Sequence, residues 1–250
     1  MGILNLTPDS FSDGGCFNDL NKSLKRVKEM EDQGVDIIDI GGESTGPNSK
    51  NVSLDEELFR VIPVLKEIRK ITDKPISIDT YKSEVARQAL TLGADMINDV
   101  TALRGDKNMA NVAAKFKCPV ILMYSKDNSP RTTIKKKKYK DVIFTIKKFF
   151  EDRIKYAKKN GIAEKNIIID PGLGQFISAL PKYSFEIIAR LNELKTLNKK
   201  IALGISRKSF LGGVMEDRDE KSCILSAIAA INGASILRTH NIKGTKQCLN

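Results

Sequence analysis

Short apolar runs alternate with longer stretches of helical periodicity along the whole chain. The first run, residues 3–5, is followed by an amphipathic stretch at 21–33 that puts Leu24, Val27 and Met30 on one side. A run at 35–40 is apolar except for Asp36 and Asp39, and residues 54–71 repeat at helical spacing through Leu58, Val61, Ile62, Leu65 and Ile68. The same alternation predicts strands at 75–78, 95–100, 119–123, 166–169, 200–205 and 234–237. Helices are predicted at 83–92, 108–116, 139–159, 184–197 and 222–232, with a last one starting near 243. Eight apolar strands, each followed by an amphipathic helix, imply a parallel sheet covered by helices. Units of about 30 residues favour a closed barrel over an open sheet. The expected fold class is α/β, a single (β/α)8 TIM barrel over residues 1–250. No second domain, low-complexity linker or helix with an obvious apolar outer face is visible.

Composition narrows this only slightly. With 250 residues, 41% of them hydrophobic, the chain can fill one sizeable core. Residues 1–15 lack a basic leader region, and no apolar run approaches the roughly 20 residues needed to span a bilayer. A soluble, cytoplasmic protein without a membrane partner is expected. Cys16, Cys118, Cys223 and Cys248 are scattered, so isolated reduced thiols are expected rather than a disulfide framework or zinc site. The net charge of +11 raises the question of nucleic acid. Lysine is spread over nearly every helix, and the one dense run, at 135–138 and 140, reads as a solvated loop entering a helix. Without an aromatic-interleaved or repeated basic motif, no nucleic-acid partner is expected.

A barrel of this kind presents its chemistry at the C-terminal ends of its strands. The polar residues there are Asn5; Asp39 with Glu43, Ser44 and Thr45; Asp79 and Thr80; Asn98 and Asp99; Tyr124; Asp170; Ser206, Arg207 and Lys208; and Arg238, Thr239 and His240. A buried carboxylate can accept two N–H bonds from a heterocycle edge, and an amide can both donate and accept. Loops after the last two strands of a barrel commonly hold phosphate, for which an arginine offers a fork. His240, the only histidine in the chain, stands there two residues after Arg238.

Residues 2–15, GILNLTPDSFSDGG, resemble the opening signature of the dihydropteroate synthase family at all fourteen positions but Leu6, where valine is usual. The segments SIDTYK, INDV, DPGLG, SRKS and RTH extend that resemblance over essentially the whole chain. It implies substitution at the methylene carbon of 7,8-dihydropterin-6-ylmethyl diphosphate, with 4-aminobenzoate attacking and diphosphate leaving. It implies a pterin pocket of Asp79, Asn98, Met123, Asp170, Lys208 and Arg238, with Asp79, Lys208 and Arg238 catalytic. Asn5, Thr45, Arg238 and His240 would hold diphosphate, and Thr45, Pro47, Phe176, Lys208 and Ser209 the aminobenzoate. Asn5 would be the protein ligand of a Mg2+ cofactor, a homodimer is the family's usual assembly, and an anionic substrate suits the positive charge.

The chain also departs from that pattern. Gly46 stands where the family has arginine, and Asn48 replaces a frequent glycine. After DPGLG the family expects Phe, a small residue and Lys, where this chain has Gln175, Phe176 and Ile177. The stretch 175–191, SRKSFLG and the RTH tip look somewhat like the sulfonamide-insensitive branch, in which a bulky Phe176 would favour the smaller true substrate. The family usually has more residues before the first strand and a longer last helix. Two further readings are weighed. A corrinoid methyltransferase barrel would need no diphosphate site, against DSFSDGG, SRK and RTH. A non-catalytic or altered-substrate pterin-binding paralogue is kept open by Gly46 and opposed by Lys208, Arg238 and His240.

Overall fold

The computed structural model describes residues 1–7 and 15–250, with side chains from residue 20 onward in the first helix. The DSFSDGG segment therefore lies almost wholly outside the described residues. Strands and helices alternate without exception: β1 (Gly2–Asn5), α1 (Gly15–Asp32), β2 (Ile38–Gly41), α2 (Leu54–Ile68), β3 (Ile76–Asp79), α3 (Ser83–Thr91), β4 (Met96–Asp99) and α4 (Met109–Phe116), then β5 (Val120–Met123), α5 (Val142–Lys159), β6 (Ile167–Asp170), α6 (Lys182–Ala189), β7 (Lys200–Gly204), α7 (Met215–Ile231), β8 (Ile236–Arg238) and α8 (Ile242–Leu249). Neighbouring strands pair in parallel in chain order. The ring closes where Gly2 bridges Thr239, through Ile3 N to Thr239 O at 3.1 Å and Thr239 N to Met1 O at 2.9 Å. The expected (β/α)8 barrel is therefore the observed fold.

The strands are short and rich in β-branched residues, which suit a pleated surface buried on both faces. Side chains alternate across the barrel wall. Ile38, Ile40, Ile76, Ile78, Ile97 and Leu122 point to the helices and are fully buried in the main core. The inward residues form a second, smaller cluster of Met1, Met96, Ile121, Ile168 and Ala202, with Ile37 and Ile236 beside it. That cluster plugs the lower barrel and leaves the upper inward positions to polar side chains.

Helix starts follow local capping. Ser53 accepts from Glu56 N at 3.1 Å, Asp141 from Phe144 N at 2.9 Å, and Asn241 from Gly244 N at 2.9 Å. The helix expected at 184–197 divides at Arg190 into α6 and a 3₁₀ turn, Leu191–Leu197. The helix expected from residue 222 begins at Met215, because its first two turns are exposed and polar and carry no apolar stripe to announce them. Glu216 and Asp217 instead place negative charge at its N-terminus, where the peptide dipoles favour it. That helix also corrects an expectation: Ile224, Ile228 and Ile231, at i, i+4 and i+7, are 50%, 41% and 82% exposed and form an apolar outer stripe. Among the described residues, no helix is long and apolar enough to cross a membrane.

One glycine directly shapes the site. Gly172 has φ +69°, and a Cβ there would lie 2.4 Å from the Tyr124 carbonyl oxygen. The tight turn lets Gly172 N donate to Asp170 Oδ1 at 2.7 Å and fixes that carboxylate at the end of β6.

Candidate active site

Register sets the ends of the strands side by side. Asp79 pairs with Asn98, Met123 with Asp170, and Gly204 with Arg238. These six residues line a cavity of about 420 Å³ at the C-terminal mouth, together with Ile3, Thr45, Phe176, Ser206, Lys208 and His240. The upper inward layer of this barrel thus carries Asp79, Asn98, Asp170 and Arg238 beside Met123 and Gly204, over an apolar cluster one layer below.

Arg238 organises that layer. Its Nε donates to Asp39 at 2.5 Å and its Nη2 to Asp79 at 2.6 Å, so the guanidinium spans β8, β2 and β3. Asp39 is fully buried beneath it and also accepts from Asn98 Nδ2 at 3.3 Å. Burial works against the guanidinium charge, but Asp39 and Asp79 more than offset it and hold Arg238 above its ordinary value. Two carboxylates sharing one cation leave the set short of positive charge. Burial lifts Asp79 to about 7, the Arg238 charge restrains the rise, and Asp39 adds to it. Asp170 rises to about 6 through burial, despite the Gly172 N–H and the nearby Lys208. Burial pulls Lys208 down to about 8, against the pull of Asp170. The Lys208 ammonium donates to Leu173 O at 3.3 Å and lies 4.9 Å from the centre of the Phe176 ring.

The other end of the cavity holds His240. Burial, then the charges of Arg207 and Arg238, hold its imidazole down at about 4, so it is neutral near pH 7. Ser206 Oγ accepts from His240 N at 3.2 Å and lies 2.9 Å from Nδ1. The Ser206 hydroxyl therefore bonds both the His240 backbone and its ring nitrogen Nδ1, and so fixes the orientation of the imidazole. A neutral imidazole thus stands beside the Arg238 fork. Arg207, which also lines the cavity, is held by a fork to Asp219, both bonds 2.8 Å.

Of the residues singled out by sequence, Thr45, Asp79, Asn98, Met123, Asp170, Phe176, Lys208, Arg238 and His240 meet around the cavity. Asn5 ends β1, two residues beyond Ile3 on the same face, and is exposed. Pro47 and Ser209 lie on the loops that bring Thr45 and Lys208 to the cavity but do not line it. Gly46 does line it, and a Cβ there would meet only Ser44 Oγ at 3.6 Å. Sequence reasoning noted Asp39 at a strand end without giving it a role, although a charge inside a buried strand demands a partner. It missed Glu57, a buried carboxylate that shares the inner stripe of α2 with Val61, Leu65 and Ile68 and accepts from Lys82 at 2.5 Å. Burial raises Glu57 above the usual carboxylate range. It also missed Lys126 and Arg131, loop lysine and arginine with no periodic signal in a lysine-rich chain.

Comparison with known proteins agrees with this geometry. The pterin binding enzyme family profile matches residues 1–240. The dihydropteroate synthase of Clostridium beijerinckii is 43% identical over 97% of this chain and 88% of its own length. The crystal structure of the Clostridium difficile dihydropteroate synthase in the presence of pteroic acid has a TM-score of 0.91 at 43% identity, covering 99% of this chain and 92% of that one. The Xanthomonas albilineans dihydropteroate synthase with 4-aminobenzoic acid also scores 0.91, at 36% identity over 99% of this chain and 89% of that one.

The raised Asp170 carboxyl makes a prediction about stability. Its folded value of about 6 lies above the ordinary 3.8, so between those values the folded state binds more protons than the unfolded one. Asp170 therefore destabilises the fold increasingly as pH rises from about 4 to about 6, and the cost stays constant above that. Asp170→Asn keeps an acceptor for Gly172 N and removes the charge. Thermal unfolding should show the variant close to wild type near pH 3, about 1 kcal/mol more stable at pH 4.5, and more stable at pH 8 by up to about 3 kcal/mol for a shift of this size. A difference that does not change with pH would contradict the assignment.

Proposed function

The chain belongs to the pterin-binding enzyme family, among its dihydropteroate synthases, and from that premise we propose how its cavity divides the work of joining 4-aminobenzoate to the pterin methylene. The observation that carries the proposal is the convergence of three edge-binding groups, Asp79, Asn98 and Asp170, with a cationic end, Arg238 and His240, around one cavity of about 420 Å³. A pterin ring has flat apolar faces and a polar edge. Asp170 and Asn98 take its amino and ring N–H groups, Lys208 donates to a ring acceptor, and Met123 packs on one face. Asp79 stays close to the ring, so its carboxylate favours the positive charge that develops on the methylene as its C–O bond breaks.

The leaving diphosphate takes the bonding electron pair and gathers negative charge at the other end. Arg238, held in plane by Asp39 and Asp79, and the neutral His240 imidazole, oriented by Ser206, meet that charge without reorganising. The aminobenzoate nitrogen then forms the C–N bond and releases its proton, and no protein nucleophile is required. Thr45, Phe176 and Lys208 bound the aminobenzoate end, with Pro47 and Ser209 on the loops that bring Thr45 and Lys208 to it. Asn5 supplies one hard amide oxygen at the end of β1, which suits a Mg2+ ion held mainly by substrate phosphates and water. When bound, that ion would neutralise phosphate charge.

The deciding assay is diphosphate release by the purified protein with the pterin diphosphate and Mg2+, with and without 4-aminobenzoate. Aminobenzoate-dependent turnover that chelation abolishes is expected. Pterin binding without turnover would replace this reading with the non-catalytic paralogue that Gly46 keeps in view, and no pterin binding would overturn both.

Phe176 lies over the Lys208 ammonium at the cavity wall and is proposed to narrow the aminobenzoate end against larger sulfonamides. Phe176→Gly should lower the sulfonamide inhibition constant relative to the aminobenzoate KM by about tenfold. Equal inhibition of the two proteins would dispose of the idea.

The exposed Ile224, Ile228 and Ile231 stripe supports a homodimer through α7. Light scattering should give twice the chain mass for the wild type and a shift toward the monomer for Ile228→Glu. A monomeric wild type at micromolar concentration would refute it.

A further inference from the structure

The loop after β5 is built more tightly than a connecting loop requires. It lies between the loop after β2, which carries Thr45 and Gly46 to the cavity, and the loop after β6, which carries Phe176. On the β6 side, Lys126 N donates to Phe176 O at 2.8 Å and Ala179 N to Lys135 O at 2.8 Å. The Tyr139 hydroxyl donates to Ile177 O and Ser178 Oγ to Lys137 O, both at 2.8 Å. On the β2 side, Arg131 donates to Ser49 O at 3.1 Å and to Lys50 O at 2.7 Å, and pairs with the buried Glu43 carboxylate.

At the centre of this loop is a buried cation. The Lys126 side chain is 2% exposed. Its ammonium reaches Asp127 at 2.7 Å, Thr132 Oγ1 at 2.9 Å, Thr133 O at 2.7 Å and Gln175 O at 2.6 Å. A lysine is withdrawn from water only when such a set of acceptors replaces its hydration. Thr132, 3% exposed, makes the connection on both sides: its N–H donates to Thr45 O at 3.2 Å, and its one hydroxyl proton faces Gln175 O at 2.8 Å, with Asp127 Oδ2 at 3.0 Å as a second acceptor. One residue thus ties the backbone beside each wall of the cavity, and the ammonium fixes its hydroxyl.

We propose that the β5–α5 loop is a brace that sets the gap between Thr45 and Phe176 and so the fit of the arylamine substrate, with Lys126 and Thr132 as positioning residues. The proposal rests on the reading of Thr45 and Phe176 as the aminobenzoate end of the cavity. Neither Lys126 nor Thr132 lines that cavity, so both act through the loops they hold.

The test uses Thr132→Val, which keeps the shape of the side chain and deletes Oγ1, with Lys126→Met as a second variant and Thr132→Ser as the conservative control. Thr132→Val and Lys126→Met should raise the KM for 4-aminobenzoate about tenfold, the factor equivalent to about 1.4 kcal/mol for one lost buried hydrogen bond. The KM for the pterin diphosphate and kcat should stay near wild type, and Thr132→Ser should restore the aminobenzoate KM. An unchanged aminobenzoate KM in folded Thr132→Val, or an equal change in both substrates, overturns the brace. Should Lys126→Met fail to fold, Thr132→Val alone decides. Hydrogen exchange separates this result from the functional reading. If the wild type shows no aminobenzoate-dependent turnover, that reading falls, while faster exchange at 175–179 and 45–50 in Thr132→Val supports the brace and unchanged exchange overturns it.

Discussion

The Arg238 guanidinium, shared between Asp39 and Asp79 inside the mouth of the barrel, is the interaction on which the rest of the site depends. It resolves a conflict that the fold creates. A (β/α)8 barrel is stable when its inward layers are filled, and the lower layer here is filled with Met96, Ile121, Ile168 and Ala202. The upper layer is filled instead by carboxylates, an amide and an arginine, groups that burial penalises unless they meet opposite charge. Arg238 meets two carboxylates at once, and Asn98 joins through Asp39. The balance is incomplete, because Asp79 and Asp170 both sit above the ordinary carboxylate range. Such a layer suits a ligand with N–H donors on one side and anionic oxygens on the other.

Much of this was legible in the chain. Alternation of apolar strands with amphipathic helices implied eight β/α units, and the barrel follows from their number and spacing. The polar residues at strand ends could be read for the same reason: a continuous apolar run that stops at Asp79, Asn98 or Asp170 marks where the wall opens. Asp39 was the harder case. Its position was visible, but its partner lies on β8, 199 residues away, and only closure of the ring brings the two together. The start of α7 was invisible because its first turns face solvent and hydrophobic periodicity has nothing to report there. The stripe of Ile224, Ile228 and Ile231 on the same helix was in the sequence but was masked by the buried positions that flank and separate them, Ser222, Cys223, Ser226 and Ala229, which are small rather than conspicuously apolar.

The loops divide differently from the strands. Strand ends are positioned by hydrogen-bond register, which sequence pattern predicts well. Loop residues are positioned by contacts that have no period. Lys126 and Arg131 belong to a chain with 42 lysines and arginines, most of them solvated, and nothing in their neighbours distinguishes the two that are buried or clamped. Only the acceptors gathered around Lys126, drawn from residues 127, 132, 133 and 175, reveal that it holds loops together.

Gly46 connects these levels. Without a side chain there, the loop after β2 contributes backbone and Thr45 to the cavity wall, but no cation. The positive charge on the cavity wall then comes from Arg238, Lys208 and Arg207, all at or just past strand ends; Arg238 is paired with Asp39 and Asp79, and Lys208 lies near Asp170. Charge fixed on the barrel needs no loop closure to reach its place, whereas a cation on the β2 loop would arrive only as that loop settles. In this chain, the arginine beside that loop is Arg131, and it is committed to Glu43 and to the carbonyls of Ser49 and Lys50. The cations that line the cavity thus sit at or just past strand ends, and Arg131 is bonded to the loop after β2 instead of facing the cavity.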